Sequence, residues 1–351
     1  MKNQQSISFF ERNLTIWVLI CMVIGIAVGK TLPAIPEFLG QFEIYNVSIP
    51  TTILLWIMIY PMMLKIDFNS VKQIKENPKG LILTWIVNWL IKPFSMYGIA
   101  YLFFHQFYKG LISTDMANQY LAGAVLLGAA PCTAMVFVWS KLTRGNAAYT
   151  LVQVATNDLI ILVAYIPIVS FLLKMGNITI PWGTLLLSII LFIVVPLIAS
   201  FLTRKYIITR KGEDYLNHVF IPSFDKYTMM GLLLTLIIIF SFQGDKILEQ
   251  PLNILLISLP LIIQTFVIFA VTLFIAHRIR LPYSVAAPCG MIGASNFFEL
   301  SVAVAISLFG LSSGATLTTV VGVLVEVPVM LFLVKIANSL QDKFETQDEV
   351  M

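Results

Sequence analysis

The sequence predicts an all-α polytopic membrane protein with ten transmembrane helices in a five-plus-five inverted repeat. Three observations carry this. Of 351 residues, 58% are hydrophobic and only 11% are charged, more apolar surface than a soluble domain has use for. Apolar runs close to the ~20 residues needed to cross a bilayer recur ten times. An odd number of spans in each half makes the second half enter the membrane upside down relative to the first.

The ten runs lie at about 14–29, 49–64, 81–104, 120–139, 147–173, 183–203, 227–242, 252–276, 286–309 and 314–337. The first reads as a signal anchor, because no small-residue cleavage site follows it. With the N-terminus inside, seventeen of the 22 Lys and Arg fall in inner segments and only Lys30, Lys109, Lys174 and Lys246 in outer ones, with Lys92 inside a span. That asymmetry orients the chain with both termini cytoplasmic, as a multi-pass protein of the cell membrane. Residues 1–13 form a cytoplasmic N-terminus and 14–173 the first five-helix repeat. An external linker at 174–182 leads to the inverted repeat at 183–337 and a cytoplasmic tail at 338–351. The longest loop, about 203–226, is read as the cytoplasmic divide between the halves.

The fourth run contains Gly128-Ala-Ala-Pro-Cys-Thr-Ala-Met-Val-Phe-Val-Trp-Ser140. Proline removes a backbone donor and clashes with the carbonyl four residues back, so the helix breaks there. Broken backbone at membrane depth is tolerated only inside protein or around a cavity. Pro131 suits the first position of a new half-helix. Cys132 then falls in its first turn, where the dipole favours a thiolate. The ninth run echoes the fourth. Gly290-Met-Ile-Gly-Ala-Ser-Asn-Phe-Phe-Glu299 is interrupted, Gly314 is set over Gly145, and Glu326 falls over Asn157. Paired interruptions in corresponding places point to a substrate site.

Ionisable groups inside a membrane cost about 2.5–3.5 kcal/mol each on insertion scales and are candidates for function. This chain has Lys92, Asp158, Glu299 and Glu326. Ser295 and Asn296, four and three residues before Glu299, share one helical face with it, so Glu299 can exchange a proton beside a hydroxyl and an amide. A carboxylic acid hydrogen-bonded between helices is the plainer alternative. Gln153 and Asn157 share a face beside Asp158, and Lys92 precedes Pro93. Lys92 reads equally well as half of a structural Lys–Asp or Lys–Glu pair and as part of the proton coupling. Glu326 either coordinates an ion or satisfies backbone freed by Pro328.

Cys21 and Cys289 are read as small hydrophobes, and Trp56, Met58, Met62 and Met63 as packing. Three cysteines without a pairing pattern exclude a disulfide framework. Gly25-Ile-Ala-Val-Gly-Lys-Thr31 is one residue short of a phosphate loop and has no preceding strand, so Gly25 and Gly29 are assigned to close helix approach. No nucleotide site, cofactor, enzymatic activity or nucleic-acid partner is predicted, and membrane lipid is the surrounding solvent.

Tyr60-Pro-Met-Met-Leu-Lys-Ile-Asp-Phe68, Asn88-Trp-Leu-Ile-Lys-Pro-Phe94, Gly128 to Trp139, Gln153-Val-Ala-Thr-Asn-Asp-Leu159 and Ala294-Ser-Asn-Phe-Phe-Glu-Leu300 run in order along nearly the whole chain. In these stretches the chain resembles the arsenite efflux permeases of the bile acid/arsenite/riboflavin transporter superfamily. The resemblance implies a bile acid sodium symporter-like fold. Spans one, two, six and seven would form a panel and the other six a core, with spans four and nine crossing near the midplane. It implies extrusion of arsenite, and of antimonite, against entering protons. Cys132 and Glu299 match the family's essential cysteine and glutamate. Cys132 would bond arsenic(III) as transported substrate rather than as a resident metal, and Ser295, Asn296 and Glu299 would complete the substrate site. Glu299, Glu326, Asn157, Asp158, Gln153 and Lys92 make up the proton-coupling or polar core. An ATPase subunit is not indicated by the sequence. The alternative is a sodium-coupled importer of an organic anion. Those relatives typically carry glycines where Cys132-Thr133 stands and a Glu-Gly-x-Gln-Asn pattern in the ninth span.

Overall fold

The computed structural model describes residues 13–44, 47–65, 78–133, 135–178, 182–249 and 251–348. The N-terminal residues 1–12, with Lys2 and Arg12, lie outside the described residues, as do Ile66–Phe68 of the Tyr60 motif, Lys72 and Lys75. The chain is helical almost throughout. In order it comprises α1 (Leu14–Thr31), α2 (Ala34–Gly40), a two-residue antiparallel pair of β1 (Glu43–Ile44) and β2 (Val47–Ser48), α3 (Ile49–Leu64), α4 (Pro78–Ile86) and α5 (Lys92–Tyr101). Then come α6 (Thr114–Gly128), α7 (Val136–Leu142), α8 (Ala147–Met175), α9 (Trp182–Ile189) and α10 (Val195–Lys211). The short α11 (Glu213–Tyr215) and α12 (Ile221–Ser223) lead to α13 (Asp225–Glu249), α14 (Leu252–Arg278), α15 (Tyr283–Ala294), α16 (Phe298–Phe309), α17 (Gly314–Ser339) and α18 (Gln341–Asp348).

Helix accounts for most of each of the ten apolar runs, the fourth and ninth being interrupted. Among the described residues, five continuous helical segments are long and apolar enough to cross a membrane: Ala147–Met175, Trp182–Lys211, Glu213–Gly244, Leu252–Arg278 and Gly314–Ser339. Ile16–Thr31, Ile49–Leu64 and Phe298–Phe309 are shorter apolar helices. The loop at about 203–226 cannot divide the chain five and five. It follows the sixth apolar run and is itself mostly helical, carrying the end of α10, α11 and α12, so an equal count turns on the 174–182 linker instead.

Prolines shape several of these helices. Wide π turns at Val87–Ile91, Ile190–Val194 and Leu216–Phe220 each end two residues before a proline, at Pro93, Pro196 and Pro222. Proline has no N–H to give, and a lengthened turn absorbs its ring. The consequence is visible at Ile190–Val194. The Val195 N–H bonds the Ile190 carbonyl, and the next donor along would be Pro196. The Leu191 carbonyl is therefore left over, and the Trp56 indole N–H of α3 takes it at 3.0 Å. Trp56, read from the sequence as packing, is a hydrogen-bonded tie between α3 and the α9–α10 segment.

Helix starts are set by side-chain caps that satisfy free N–H groups. Ser113, Asn146 and Ser313 accept from Met116, Tyr149 and Thr316 at the heads of α6, α8 and α17. The caps put Asn146 in register with Ser313. The predicted echo set Gly145 over Gly314, and the two caps differ from that register by two residues.

Packing falls into two neighbourhoods. α13 lies along α1 and α3, and α3 also lies against α10. The segments α4–α5, α6, α14, α15, α16 and α17 pack on one another. Gly25 and Gly29 face α13 so closely that a Cβ on Gly25 would strike the Ile237 carbonyl and Phe240, and one on Gly29 the Ser241 carbonyl. These glycines do serve close approach. Because backbone cannot move aside, Gly29→Leu is expected to cost about 1–3 kcal/mol, read as a lowered unfolding midpoint of the purified protein in detergent.

Candidate functional site

The fourth and ninth segments are interrupted, and their interruptions meet. Between α6 and α7 the chain is irregular from Ala129 to Thr133, and between α15 and α16 it is extended at Ser295. Pro131 and Asn296 pair as an isolated antiparallel bridge. The Cys132 N–H donates to the Ser295 carbonyl at 3.4 Å and the Phe297 N–H to the Ala130 carbonyl at 2.9 Å. Each break thus satisfies backbone groups that the other has freed from its helix, as buried polar backbone requires.

This geometry corrects two expectations. Pro131 does not open a half-helix, since α7 begins at Val136. Cys132 is therefore not in a first turn, and its surroundings come from the other break instead. Its N–H is bound to the Ser295 carbonyl, and its side chain is buried. Nor do Ser295, Asn296 and Glu299 share a helical face. Ser295 and Asn296 belong to the break, and only Glu299 is helical, in the first turn of α16.

The break is held from two more elements. Lys92, fully buried at the head of α5, donates its ammonium to the Ser295 carbonyl. Glu326 of α17 accepts through one carboxylate oxygen from the Ser295 hydroxyl and, at 3.1 Å, from the Asn296 N–H. Glu326 therefore satisfies backbone freed at the break of α15–α16, not backbone freed by Pro328. Lys92 lies in the field of Glu326 and of Cys132, and Cys132 in that of Glu326 and Glu299. Of the partners the sequence leaves open for Lys92, the structure sides with a glutamate.

Six predicted residues are thus brought together: Cys132, Ser295, Asn296, Glu299, Glu326 and Lys92. All are buried. Several of their polar atoms remain unpaired among the described residues, namely the second carboxylate oxygen of Glu326, the amide oxygen of Asn296 and the hydroxyl of the neighbouring Thr133. Buried polar groups are ordinarily satisfied, so these atoms have hydrogen-bonding capacity left over. A soft thiol beside hydroxyl, amide and carboxylate suits a solute with a soft centre and polar substituents.

Gln153, Asn157 and Asp158 are not hydrogen-bonded to this cluster. Asn157 accepts from the Trp89 indole at 3.1 Å, while both amide atoms of Gln153 and both carboxylate oxygens of Asp158 are buried without hydrogen bonds. Two further residues in the same condition were missed by sequence reasoning, Asn88 and Gln264. A glutamine inside the apolar run of α14 was the available signal. Cys289 is also more than a small hydrophobe. Its thiol lies 2.9 Å from the Tyr149 hydroxyl, which lies 3.0 Å from the Thr84 hydroxyl. Cys21 is buried with the core, as a hydrophobe.

Comparison with known proteins agrees with this architecture. Residues 52–250 match the Sodium Bile acid symporter family. The chain is 60% identical to the Arsenical-resistance protein Acr3 of Alkaliphilus metalliredigens over 95% of its own length and 94% of that protein. It is 46% identical to an uncharacterized transporter of Synechocystis sp., over 95% of this chain and 89% of the relative. It is 28% identical to the Arsenical-resistance protein Acr3 of Corynebacterium glutamicum, over 93% and 88%. With its family signature matched over more than half its length and a relative so similar almost end to end, the chain belongs to the arsenite efflux permeases of the sodium bile acid symporter family.

Proposed function

We propose that this chain is a membrane transporter, not an enzyme, that extrudes arsenite and antimonite from the cytoplasm by proton antiport. The observation that carries the reading is the buried Cys132, held by its backbone against Ser295 where two broken helices meet, in a chain 60% identical to an arsenical-resistance protein. Near neutral pH arsenite is an uncharged trihydroxide. Its arsenic exchanges hydroxyl for sulfur, and its remaining hydroxyls hydrogen-bond to Asn296, Ser295 and Glu299. A single sulfur holds it loosely enough to let go, whereas three would sequester it, and transport requires release. Glu299 is the carboxyl that exchanges the coupling proton, and each inward proton adds about 2.3 kcal/mol per 100 mV of membrane potential.

In this reading the ten helices form two inverted five-helix repeats, and the interrupted segments cross at the midplane. The neighbourhood of α1, α3, α9–α10 and α13 is the panel against which the rest moves, exposing Cys132 and Glu299 to either side in turn. Both termini face the cytoplasm. Disulfide cross-links between panel and core should therefore stop turnover, and full activity in the cross-linked protein would exclude the motion.

The primary experiment is arsenite accumulation in everted membrane vesicles under an imposed proton gradient and then a sodium gradient. Proton-driven accumulation supports the antiporter. Sodium-driven uptake of an organic anion, with no arsenite uptake, would replace it. Glu299→Gln is expected to abolish proton-driven flux while leaving arsenite able to protect Cys132 from alkylation. Unchanged flux would remove Glu299 from the coupling step.

A further inference from the structure

We propose that a groove between the end of α10 and the α11–α12 turn binds an anionic phospholipid, its acyl end on apolar walls and its phosphodiester at Lys211. The lipid comes from the leaflet into which the basic end of α10 emerges, the cytoplasmic one in the orientation proposed above. That orientation is the only part of the transport reading on which the inference rests.

The sequence builds both halves of the site. The helical segment Trp182–Lys211 is 30 residues long, about 45 Å at the usual rise, whereas a hydrocarbon core is about 30 Å thick. Its last turns therefore leave the hydrocarbon. They do so as Thr203-Arg-Lys-Tyr-Ile-Ile-Thr-Arg-Lys211, where basic residues interleave with apolar ones. Gly212, at φ 85°, then turns the chain, a conformation glycine adopts without strain. Leu216 and Ile221 pack with Ile207 and with Leu64 of α3 in a small apolar cluster of their own. Arg204 is spent on holding this corner together. It donates to the Leu64 carbonyl at 3.2 Å and pairs with Glu213 at 3.4 Å.

Beside that cluster lies an open groove of about 470 Å³, walled by Leu202, Tyr206, Ile207, Tyr215 and Phe220, with Lys211 on its lining. Three observations select its occupant. The walls are almost wholly apolar or aromatic, which suits an acyl chain better than a free anion. Ile198, Leu202, Tyr206 and Arg210 follow one another at four-residue spacing and are all exposed, so an apolar stripe runs up α10 into the groove and ends on a cation. The charge at that end is positive and available. The Lys211 ammonium lies 4.3 Å from the Tyr215 ring centroid and donates to its hydroxyl at 3.2 Å. The Arg210 guanidinium lies 5.9 Å from the Tyr206 ring centroid. Of the nearby acids, Glu213 is paired with Arg204 and Asp225 with Lys65 at 3.8 Å, which leaves Asp214 against Lys205, Arg210 and Lys211. An ammonium has three hydrogens, so Lys211 can hold Tyr215 and still donate two to phosphate oxygens. Tyr215 accepts from Lys211 and keeps its own hydrogen for the same headgroup. Tyrosines and basic residues at the edge of the hydrocarbon are where anionic lipid meets a membrane protein.

The test is binding of dioleoyl phosphatidylglycerol to the purified full-length protein in detergent, measured by native mass spectrometry beside dioleoyl phosphatidylcholine. A basic residue close to anionic lipid is worth about fivefold in affinity. Lys211→Gln is expected to weaken phosphatidylglycerol binding about fivefold and Lys211→Gln/Arg210→Gln about 25-fold, with phosphatidylcholine binding unchanged. Lys211→Arg keeps the charge and should bind as the wild type does. Lys205→Gln, on the same helix but outside the groove lining, should change binding less than about twofold. These side chains are exposed, so the variants should keep the wild-type fold, checked by their unfolding midpoints. Equal losses in Lys205→Gln and Lys211→Gln would overturn the site, because they would report diffuse surface charge. Equal binding of the two lipids by the wild type would also overturn it. So would displacement of phosphatidylglycerol by inorganic phosphate, which would make a free anion the ligand. None of these readouts involves arsenite, so failure here leaves the transport reading standing.

Discussion

Cys132→Ser is expected to reduce arsenite transport at least ~100-fold, equivalent to about 2.8 kcal/mol of lost substrate affinity. The substitution keeps the approximate size and the buried position. It removes only the soft donor. Loss of transport with an unchanged unfolding midpoint would therefore assign the loss to sulfur chemistry rather than to folding. Cys21→Ser and Cys289→Ala serve as comparisons. Cys21 is buried with the core, and Cys289 is tied to Tyr149 away from the break. Both should transport arsenite. The measurement is arsenite accumulation in everted vesicles beside thermal unfolding in detergent. Arsenite transport retained in Cys132→Ser would remove the thiol from the mechanism.

Lys92→Met should be the most destabilising single change at the site. Lys92 is wholly buried, and its ammonium satisfies the Ser295 carbonyl and lies in the field of Glu326. Removing one member of a buried charged pair leaves the other uncompensated, which costs about 3–5 kcal/mol, whereas replacing both by neutral groups is close to neutral. The double variant Lys92→Met/Glu326→Gln is thus expected to recover most of the stability lost in Lys92→Met. It should not recover transport, because Glu326 no longer offers a carboxylate to the Ser295–Asn296 break. The readout is the unfolding midpoint of the wild type, both singles and the double, set beside vesicle flux. If Lys92→Met unfolds with the wild type, or if the double variant is no more stable than the single, the two side chains do not form an energetically coupled pair.

Much of this molecule is legible in its sequence for a physical reason. Apolar length, charge asymmetry and proline are local signals, and a bilayer punishes departures from them. The runs at 147–173, 183–203, 252–276 and 314–337 reappear as α8, α9–α10, α14 and α17, because nothing but a helix satisfies their backbone in an apolar setting. The residues of the site were visible for the same reason. Lys92, Glu299 and Glu326 are costly where they stand, and Pro131 marks the break beside Cys132.

What the sequence by itself determined is therefore the helical membrane architecture, the place where the fourth run must break and most of the polar residues at its centre. The tertiary structure decided how those residues are used. Helical periodicity put Ser295 and Asn296 on a face with Glu299, yet the chain is unwound there, because the Pro131 break supplies the Ser295 to Phe297 backbone with partners from another segment. Sequence distance gave no reason to prefer Glu326 over Asp158 for Lys92, nor to bring Glu326 to Ser295, 31 positions away. Those pairings depend on which buried donors and acceptors are left over once the helices are packed. Only the assembled fold shows what each break leaves unsatisfied and which side chain reaches it.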